Sequence, residues 1–364
     1  MRAAVLTAIN EPLTVLDLQQ EPPRAGEALV TLKACGVCMS DWHIMSGHWP
    51  AKLPLVPGHE ASGVVESVGP GPSRVSVGDH VVFSFHPGCG HCRYCNAGRP
   101  SLCSGHNDTP CFAQHDGTTR LSYGGKAVGQ MARIGTFSEK VVCSQEHLIP
   151  ISKDVPWTIA ALIGCSVATG IGAAIRHAEI KAGSTVLVIA CGGVGLNIIQ
   201  GARLAGASQI FAVDVNPEKL ALARKFGATE YIDASAGNVR SRISASTPEG
   251  VDYAFDALGS EPTIQQALEC LRPSGRAVVV GIPPIGSRTT IEPFSMVFQE
   301  KTLSGSFYGS VRPEIDFPLI ADLYKRRKID IESLVGRTYS LDEINTAFGD
   351  MRSGAPGRGV IVFD

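Results

Sequence analysis

Strand-like and helix-like segments alternate along the sequence from about Val167 to about residue 309. Such alternation predicts a parallel sheet wound with helices, which is an α/β domain. The segments are, in order, TVLVIA, LNIIQGARLAGA, QIFAVD, PEKLALARKFGA, YIDA, VDYAFDAL, PTIQQALECL and RAVVVGI.

A glycine-rich turn follows the first of these strands. Ala190, Gly192 and Gly195 occupy the positions of a G-x-G-x-x-G turn whose first glycine is replaced by alanine, and Asp214 ends the next strand. Gly192 would let the backbone approach a pyrophosphate at a helix N-terminus, so the residues from Gly192 to Gly195 are predicted to bind a dinucleotide. A carboxylate at Asp214 would bond both ribose hydroxyls and repel a 2′-phosphate, which favours NAD over NADP. The alternative interpretation is tight packing between helix and strand.

The first 150 residues have a different character. Short β-type runs such as EALVTLKA, ASGVVESVG and DHVVFSF are separated by Gly and Pro, which indicates a barrel-like β domain. After about Ser310 come two helical patterns and the strand GRGVIVFD, and we expect this tail to complete the first domain. The predicted domains are therefore residues 1–166 with 310–364, and residues 167–309.

The stretch from Lys33 to Glu60 indicates half of a catalytic zinc site. Cys38 and His59 are ligands of the kind that zinc prefers, and a catalytic zinc needs three protein ligands and one open position. Cys165, which follows an apolar run, is the best candidate for the third ligand. Each residue alone would more often be an ordinary buried thiol or a histidine satisfying a local hydrogen bond.

A second metal site is predicted in the segment 86–105. Its four cysteines, spaced by two, two and seven residues, can close a tetrahedron around one zinc and leave no open position, so this zinc would be structural. Four unrelated buried thiols are improbable in a loop of Gly, Pro, Asn and Arg. An iron–sulfur cluster is the chemical alternative. The cysteines are Cys89, Cys92, Cys95 and Cys103.

Composition narrows the functional classes. A net charge of −2 lacks the electrostatic footprint of a nucleic-acid or anionic-membrane binder, so a small ligand is expected. The start MRAAVLTAIN has no secretion signal pattern, and LIGCSVATGIGAAI is too short and too rich in Gly and Ala to predict a membrane span. Eleven cysteines without such a signal favour metal over disulfides and indicate a reducing cytoplasm.

These motifs together resemble the zinc-containing alcohol dehydrogenases of the medium-chain dehydrogenase/reductase superfamily. The resemblance implies a GroES-like β-barrel catalytic domain joined to a doubly wound Rossmann domain, NAD as cofactor and two zinc ions per chain, one catalytic and one structural. It runs over nearly the whole chain, through GVCMSDWH, PGHE, CGHCRYCNAGRPSLC, DGTTRLSYGGK, GTFSE, LIGCSVATG, CGGVGL, VDVNPEK, VGIPP and GRGVIVF.

The resemblance also assigns roles to single residues. Ser40 would take the alcohol proton and pass it through the cofactor ribose to His43, although a turn residue and a solvated histidine are the alternatives. Asp41 resembles a carboxylate that supports the metal ligands, and Glu60 one beside the metal. The positions expected to contact the cofactor, besides the glycine-rich turn with Gly193 and Val194, are Thr169, Lys219, Ile282 and Arg358.

The implied substrate is a primary aliphatic or aromatic alcohol, or the corresponding aldehyde. Trp49, Phe85, Phe137 and Ile282 fall at positions that line the family's substrate pocket, although each could equally be ordinary core. The glutathione-dependent formaldehyde branch, or a relative using another thiol, is the nearest alternative, but that branch typically has an acidic residue where this chain has His48 and Trp49. A non-catalytic relative that kept both folds is the alternative from another class.

The sequence departs from the family pattern at two positions near the expected cofactor site. Met39 stands where many relatives have a basic residue against the pyrophosphate, and Ala190 adds a methyl group where glycine is usual. The segment Cys103 to Phe137 resembles the longer loop of dimeric members, so a homodimer is expected first and a tetramer second.

Overall fold

The computed structural model describes residues 1–105 and 111–364, which divide into two compact units. Unit 1 comprises Met1–Cys165, Arg312–Arg327 and Val335–Asp364. Unit 2 comprises Ser166–Val311 and Lys328–Leu334.

The strands are numbered in chain order. They are β1 Arg2–Val5, β2 Thr14–Asp17, β3 Gln19–Gln20, β4 Glu27–Gly36, β5 Leu55–Val56, β6 Ala61–Val68, β7 His80–Phe83, β8 Leu121–Tyr123, β9 Lys126–Gln130, β10 Lys140–Ser144, β11 Leu148–Pro150, β12 Thr185–Ile189, β13 Gln209–Asp214, β14 Glu230–Asp233, β15 Val251–Asp256, β16 Leu271–Val279, β17 Thr302–Gly305, β18 Val335–Tyr339 and β19 Arg358–Val362.

The α-helices are numbered in the same way. They are α1 Met39–Met45, α2 Arg93–Asn96, α3 Trp157–Leu162, α4 Ala168–Gly172, α5 Gly193–Leu204, α6 Pro217–Phe226, α7 Val239–Ser244, α8 Glu261–Glu269, α9 Pro293–Phe298, α10 Pro313–Lys325 and α11 Ile344–Arg352. Two π-helical stretches, Ile163–Val167 and Ala173–His177, follow α3 and α4.

Unit 1 is built on a seven-stranded sheet in the order β11-β7-β6-β4-β19-β18, with β10 also paired to β4. All of its pairings are antiparallel except β18 with β19. The central strand β4 alternates buried and half-buried side chains along most of its length, as expected for a strand with one face on a core. The C-terminal strands β18 and β19 therefore join the N-terminal β domain, and the GroES-like part of the predicted fold is confirmed.

Unit 2 contains a six-stranded parallel sheet in the order β14-β13-β12-β15-β16-β17. In the unit's own numbering this order is 3-2-1-4-5-6, the doubly wound arrangement of dinucleotide-binding domains. Strands β12 and β13 are almost continuously buried because helices cover both faces of such a sheet. The predicted Rossmann domain is confirmed.

The boundaries of the units differ slightly from those predicted. Unit 1 ends its first segment at Cys165, unit 2 extends to Val311, and the short segment Lys328–Leu334 belongs to unit 2 rather than to the first domain. Two hydrogen bonds attach the segment Lys328–Leu334 to unit 2. The N–H of Asp330 donates to Oε1 of Gln200 on α5 (2.7 Å), and the carbonyl of Asp330 accepts from Nε2 of the same side chain (3.1 Å). No pattern in the sequence signals that pairing.

One helical run satisfies the length and composition of a membrane span. Trp157–His177 has 21 residues with a mean hydropathy of 1.9, but 89% of its most apolar window is buried within the protein. A helix that is apolar on all sides either spans a membrane or is buried in a protein core. The burial of this helix is typical of a core helix in a globular protein.

A buried ion pair holds the segment before β8 to the start of β4. The Arg120 guanidinium, 1% exposed, donates to both Glu27 oxygens at 2.9 and 2.6 Å and to Asp116 Oδ2 at 2.7 Å. Removing one partner of a buried pair leaves the other charge without compensation, which is costly.

We therefore expect Glu27→Gln to lower the free energy of unfolding by about 3 kcal/mol. The buried Arg120 charge would then be neutralised by Asp116 alone, which accepts one hydrogen bond from it where Glu27 accepts two. Urea denaturation followed by circular dichroism measures the change. The matched control is Arg326→Ala, which removes an exposed pair with Asp322 and should cost at most about 1 kcal/mol. Equal losses in the two variants would contradict this assignment.

Candidate functional site

Three metal-ligand side chains converge within unit 1. Cys38, His59 and Cys165 are all buried, and their ligand atoms lie within 4.8 Å of one another. Cys38 is the N-cap of α1, and Cys165 lies in the π-helical stretch after α3. Two thiols and an imidazole around one point form the donor set of a catalytic zinc, in which a fourth position remains for a substrate.

Asp41 holds two of these ligands in place. Its Oδ1 lies 2.9 Å from His59 Nδ1 and accepts the N–H of Gly58 (3.0 Å), while its Oδ2 accepts the N–H of Cys38 (3.1 Å). Burial opposes protonation of His59, but the negative charge of Asp41 raises the pKa of that imidazole. Because Nδ1 is engaged by the carboxylate, Nε2 is the nitrogen left to bind a metal.

A buried ion pair lies beside the ligands. Arg358 donates to Glu60 Oε2 through Nε (3.0 Å) and Nη2 (2.7 Å). A hydrogen bond from Cys165, together with the nearby charge of Arg358, lowers the pKa of Cys38. A Cβ at Gly36 would lie 2.6 Å from Glu60 Oε2, so glycine is needed there to admit the carboxylate. The structure thus shows Arg358 paired with Glu60, and its expected contact with the cofactor stays a prediction.

The aromatic residues expected in the pocket have different environments. The Phe85 ring stands edge-on to His59 with ring centroids 5.3 Å apart, so an apolar side chain lies directly against a metal ligand. Trp49 is partly buried and stacks on His43 at 4.9 Å. Phe137 has no exposed surface and packs edge-on against Phe348, which corrects its assignment from pocket wall to core.

The two residues expected to carry the proton lie on α1. Ser40 and His43 are both half-buried and three residues apart, so they share one face of the helix. Sequence reasoning used His48 only as a marker of substrate class. In the structure its Nδ1 lies 3.0 Å from His43 Nδ1. The sequence signal was its position three residues after the end of α1, where a chain can fold back on a helix.

The four cysteines of the segment 86–105 lie close together in unit 1. The ligand atoms of Cys89, Cys92, Cys95 and Cys103 lie within 4.8 Å of one another. Backbone N–H groups point at the sulfurs, including those of Cys89 to Cys103 Sγ (3.3 Å) and of Cys92 to Cys89 Sγ (3.4 Å). The backbone N–H of Cys95 lowers the pKa of Cys92 to about 5. Burial raises the pKa of Cys95 to about 12 and also raises the pKa of Cys103, so these two thiols become thiolates more readily beside a cation. Four sulfurs grouped in this way suit a closed tetrahedral metal site, and zinc and iron are the metals that such donors hold.

The glycine-rich turn of unit 2 has room for a ligand. A Cβ at Gly192 would meet no atom within 4 Å, so the space in front of this N-cap residue of α5 is open. A Cβ at Gly195 would lie 1.9 Å from the carbonyl oxygen of Ala190, so glycine is required there for packing. Ala190 itself has φ 73°, the left-handed region that favours glycine. The open cradle at a helix N-terminus fits a pyrophosphate.

Asp214 accepts two backbone hydrogen bonds beside the glycine-rich turn. At the end of β13 its Oδ2 accepts the N–H of Cys191 (2.7 Å) and its Oδ1 accepts the N–H of Asn216 (2.9 Å). Two backbone bonds fix the carboxylate and leave lone pairs on both oxygens. Of the other residues expected at the cofactor, Gly193 and Val194 form the first turn of α5, Thr169 is buried on α4, Lys219 is half-buried on α6, and Ile282 is 42% exposed.

Comparison with known proteins decides the family. A profile described as "Alcohol dehydrogenase GroES-like domain" matches residues 24–153, and one described as "Zinc-binding dehydrogenase" matches residues 193–326. The S-(hydroxymethyl)glutathione dehydrogenase of Paracoccus denitrificans is 36% identical over 373 residues, covering 100% of this chain and 99% of that protein. The chain belongs to the zinc-containing alcohol dehydrogenases of the medium-chain dehydrogenase/reductase superfamily.

Other members of this family are similarly close. The NDMA-dependent alcohol dehydrogenase of Amycolatopsis methanolica is 36% identical over 365 residues, with 99% and 98% of the two chains covered. The crystal structure of benzyl alcohol dehydrogenase from Acinetobacter calcoaceticus superposes with a TM-score of 0.94 at 31% identity and covers 100% and 99% of the chains. The protein is therefore an oxidoreductase of the zinc alcohol dehydrogenase class that uses a nicotinamide cofactor, as the sequence predicted.

The glycine-rich turn generates a stability prediction. We expect Gly195→Ala to lower the free energy of unfolding by more than about 2 kcal/mol, because the new methyl group would overlap the Ala190 carbonyl. Ala190→Gly should be neutral or stabilising by up to about 1 kcal/mol, because glycine relieves the strain of a positive φ. Thermal unfolding of the protein without added cofactor measures both. A stable Gly195→Ala variant would show that the turn has another conformation.

Proposed function

We propose that this alcohol dehydrogenase interconverts primary aliphatic or aromatic alcohols and their aldehydes, with NAD as cofactor and two zinc ions per chain. The observation that carries the proposal is the Phe85 ring against His59, in a triad with Cys38 and Cys165. An apolar wall beside the metal favours a hydrocarbon substituent on the reacting carbon over a polyol.

Different residues of unit 1 orient the metal ligands, exclude water and transfer the proton. When bound, zinc supplies the Lewis acidity that lowers the pKa of an alcohol hydroxyl, and the nicotinamide accepts hydride. Asp41 orients His59 and the Cys38 backbone, so the ligand geometry is set before any substrate arrives. Phe85 excludes water from the side of His59 that it covers, and Trp49 shields the ring of His43. Ser40 and His43, on one face of α1, carry the hydroxyl proton away.

The second candidate is oxidation of a thiol–formaldehyde adduct. It is favoured by the 36% identity to the Paracoccus denitrificans enzyme named for that activity. His48 and Trp49 occupy the segment in which that branch typically has an acidic residue, so the charge that would meet a glutathione adduct is missing here. We therefore rank it below simple alcohols.

A substrate panel tests this ranking. We expect NADH formation with benzyl alcohol and with medium-chain primary alcohols. The kcat/KM for formaldehyde plus glutathione should be at least about tenfold lower than for these alcohols, because only the alcohols gain transition-state binding from burying an apolar substituent in the site. The absorbance at 340 nm measures the rates, with glycerol as a polyol control. Preference for the glutathione adduct would replace the proposal with the second candidate, and no turnover of any alcohol or of the adduct would refute both.

The NAD preference rests on Asp214. Its carboxylate is fixed at the end of β13 by the N–H groups of Cys191 and Asn216, where it would repel a 2′-phosphate. A repulsion of about 1–2 kcal/mol in a partly hydrated site corresponds to a preference of roughly five- to thirtyfold.

We expect Asp214→Asn to raise the NADP-to-NAD ratio of kcat/KM by about tenfold, because the amide oxygen can still accept the Cys191 N–H while the charge is gone. Asp214→Ser should shift the ratio in the same direction. Circular dichroism checks that both variants are folded. Folded variants with an unchanged cofactor ratio would remove Asp214 from this role.

Assembly and location stay predictions. The segment Cys103 to Phe137, which suggested a homodimer, includes residues 106–110, and these lie outside the described residues. The expected homodimer, the alternative tetramer and the expected cytoplasmic location follow from the sequence reasoning alone.

A further inference from the structure

The His43 side chain is held on two sides by the residues that follow α1. Its Nδ1 lies 3.0 Å from Nδ1 of His48, and its ring stacks on Trp49 at a centroid distance of 4.9 Å and an interplanar angle of 27°. His43 is half-buried, whereas His48 is exposed. The pair therefore connects the half-buried ring of His43 to solvent.

The backbone builds this contact. Gly47, just beyond α1, has φ 73° and reverses the chain, and the N–H of Trp49 then donates to the carbonyl of His43 (3.0 Å). A Cβ at Gly47 would lie 2.8 Å from Ile9 Cγ2, so the turn also packs closely on the N-terminal segment. These two contacts fix the main chain on either side of His48 and bring its side chain within reach of His43.

A hydrogen bond between two Nδ1 atoms suits proton transfer. One imidazole must donate and the other accept, and each ring can take a proton at one nitrogen while releasing the one on the other. A proton that arrives at His43 Nε2 makes this ring cationic, the Nδ1 proton of His43 passes to His48 Nδ1, and His48 releases its Nε2 proton to water. Exchange with water then restores the starting tautomers.

We propose that His48 is the outer member of a two-histidine proton relay that carries the alcohol proton from His43 to solvent. The inference rests on the proposed role of His43 in alcohol oxidation. The balance is complete, because oxidation of one alcohol by one NAD⁺ yields one aldehyde, one NADH and one proton, and the relay delivers that proton to bulk water. No other acceptor is required.

The test measures proton release in the first turnover. Enzyme, NAD⁺ and benzyl alcohol are mixed in weak buffer, with a pH-indicator dye reporting the proton and absorbance at 340 nm reporting NADH. We expect His48→Ala and His48→Gln to slow proton release by about three- to tenfold, less than the loss of a positioned base, because water can partly replace an exposed group. Added imidazole or concentrated buffer should restore the rate in His48→Ala, a rescue that a purely structural role would not produce.

Lys52→Ala is the matched control, since Lys52 is exposed in the same segment, four residues further on. It should release protons at the parent rate and show no dependence on buffer. Parent-like rates in both His48 variants, or slowing that imidazole does not relieve in His48→Ala, would overturn the relay.

His43→Gln distinguishes the proposed role of His43 from that of His48. If this variant releases protons as fast as the parent, the proposed proton role of His43 is refuted. If it is slow while both His48 variants are fast, only the relay is refuted.

Nitrogen-15 spectra of the protein without cofactor give a readout that does not depend on turnover. We expect a coupling across the hydrogen bond between the two Nδ1 atoms, and we expect it to be lost in His48→Gln. Its absence in the parent protein would contradict the relay.

Discussion

The site in unit 1 depends on the hydrogen bonds that converge on one buried carboxylate. Asp41 is joined to the backbone of Cys38, the backbone of Gly58 and the ring of His59. It lies in the first turn of α1, so the helix that positions Ser40 and His43 also binds the segment that carries His59. Because a buried acceptor and its donors are expensive to separate, the thiol and the imidazole are held together before a metal arrives.

The electrostatics of the site point to a resident cation. Two thiols, the Glu60 carboxylate and Arg358 lie in one buried region, and the arginine is already engaged by the glutamate. Burying thiolates without a compensating charge is unfavourable. A divalent ion bound by Cys38, His59 and Cys165 would neutralise the two thiolates and use the imidazole nitrogen that Asp41 leaves free.

Much of this organisation could be predicted from the sequence, because it is encoded in local patterns. The alternation of strands and helices predicted the Rossmann unit, and ligand chemistry singled out the two groups of side chains that lie close together. Contacts that depend on distant residues or on a particular turn conformation were not predicted, because no local pattern encodes them. Lys328–Leu334 joins unit 2 through paired hydrogen bonds between Asp330 and Gln200 on a distant helix. Phe137 belongs to the core because Phe348, far along the chain, packs on its ring. The contact of His48 with His43 needed the left-handed turn at Gly47.

The central claim is that the three separated ligands of unit 1 hold a zinc ion with an open position. Anomalous diffraction from crystals, recorded on both sides of the zinc absorption edge, tests it most directly. The account predicts a peak about 2.3 Å from the sulfurs of Cys38 and Cys165 and about 2.1 Å from Nε2 of His59, with no fourth protein ligand. Crystals that show zinc at the four-cysteine cluster but no anomalous peak among these three side chains would contradict it.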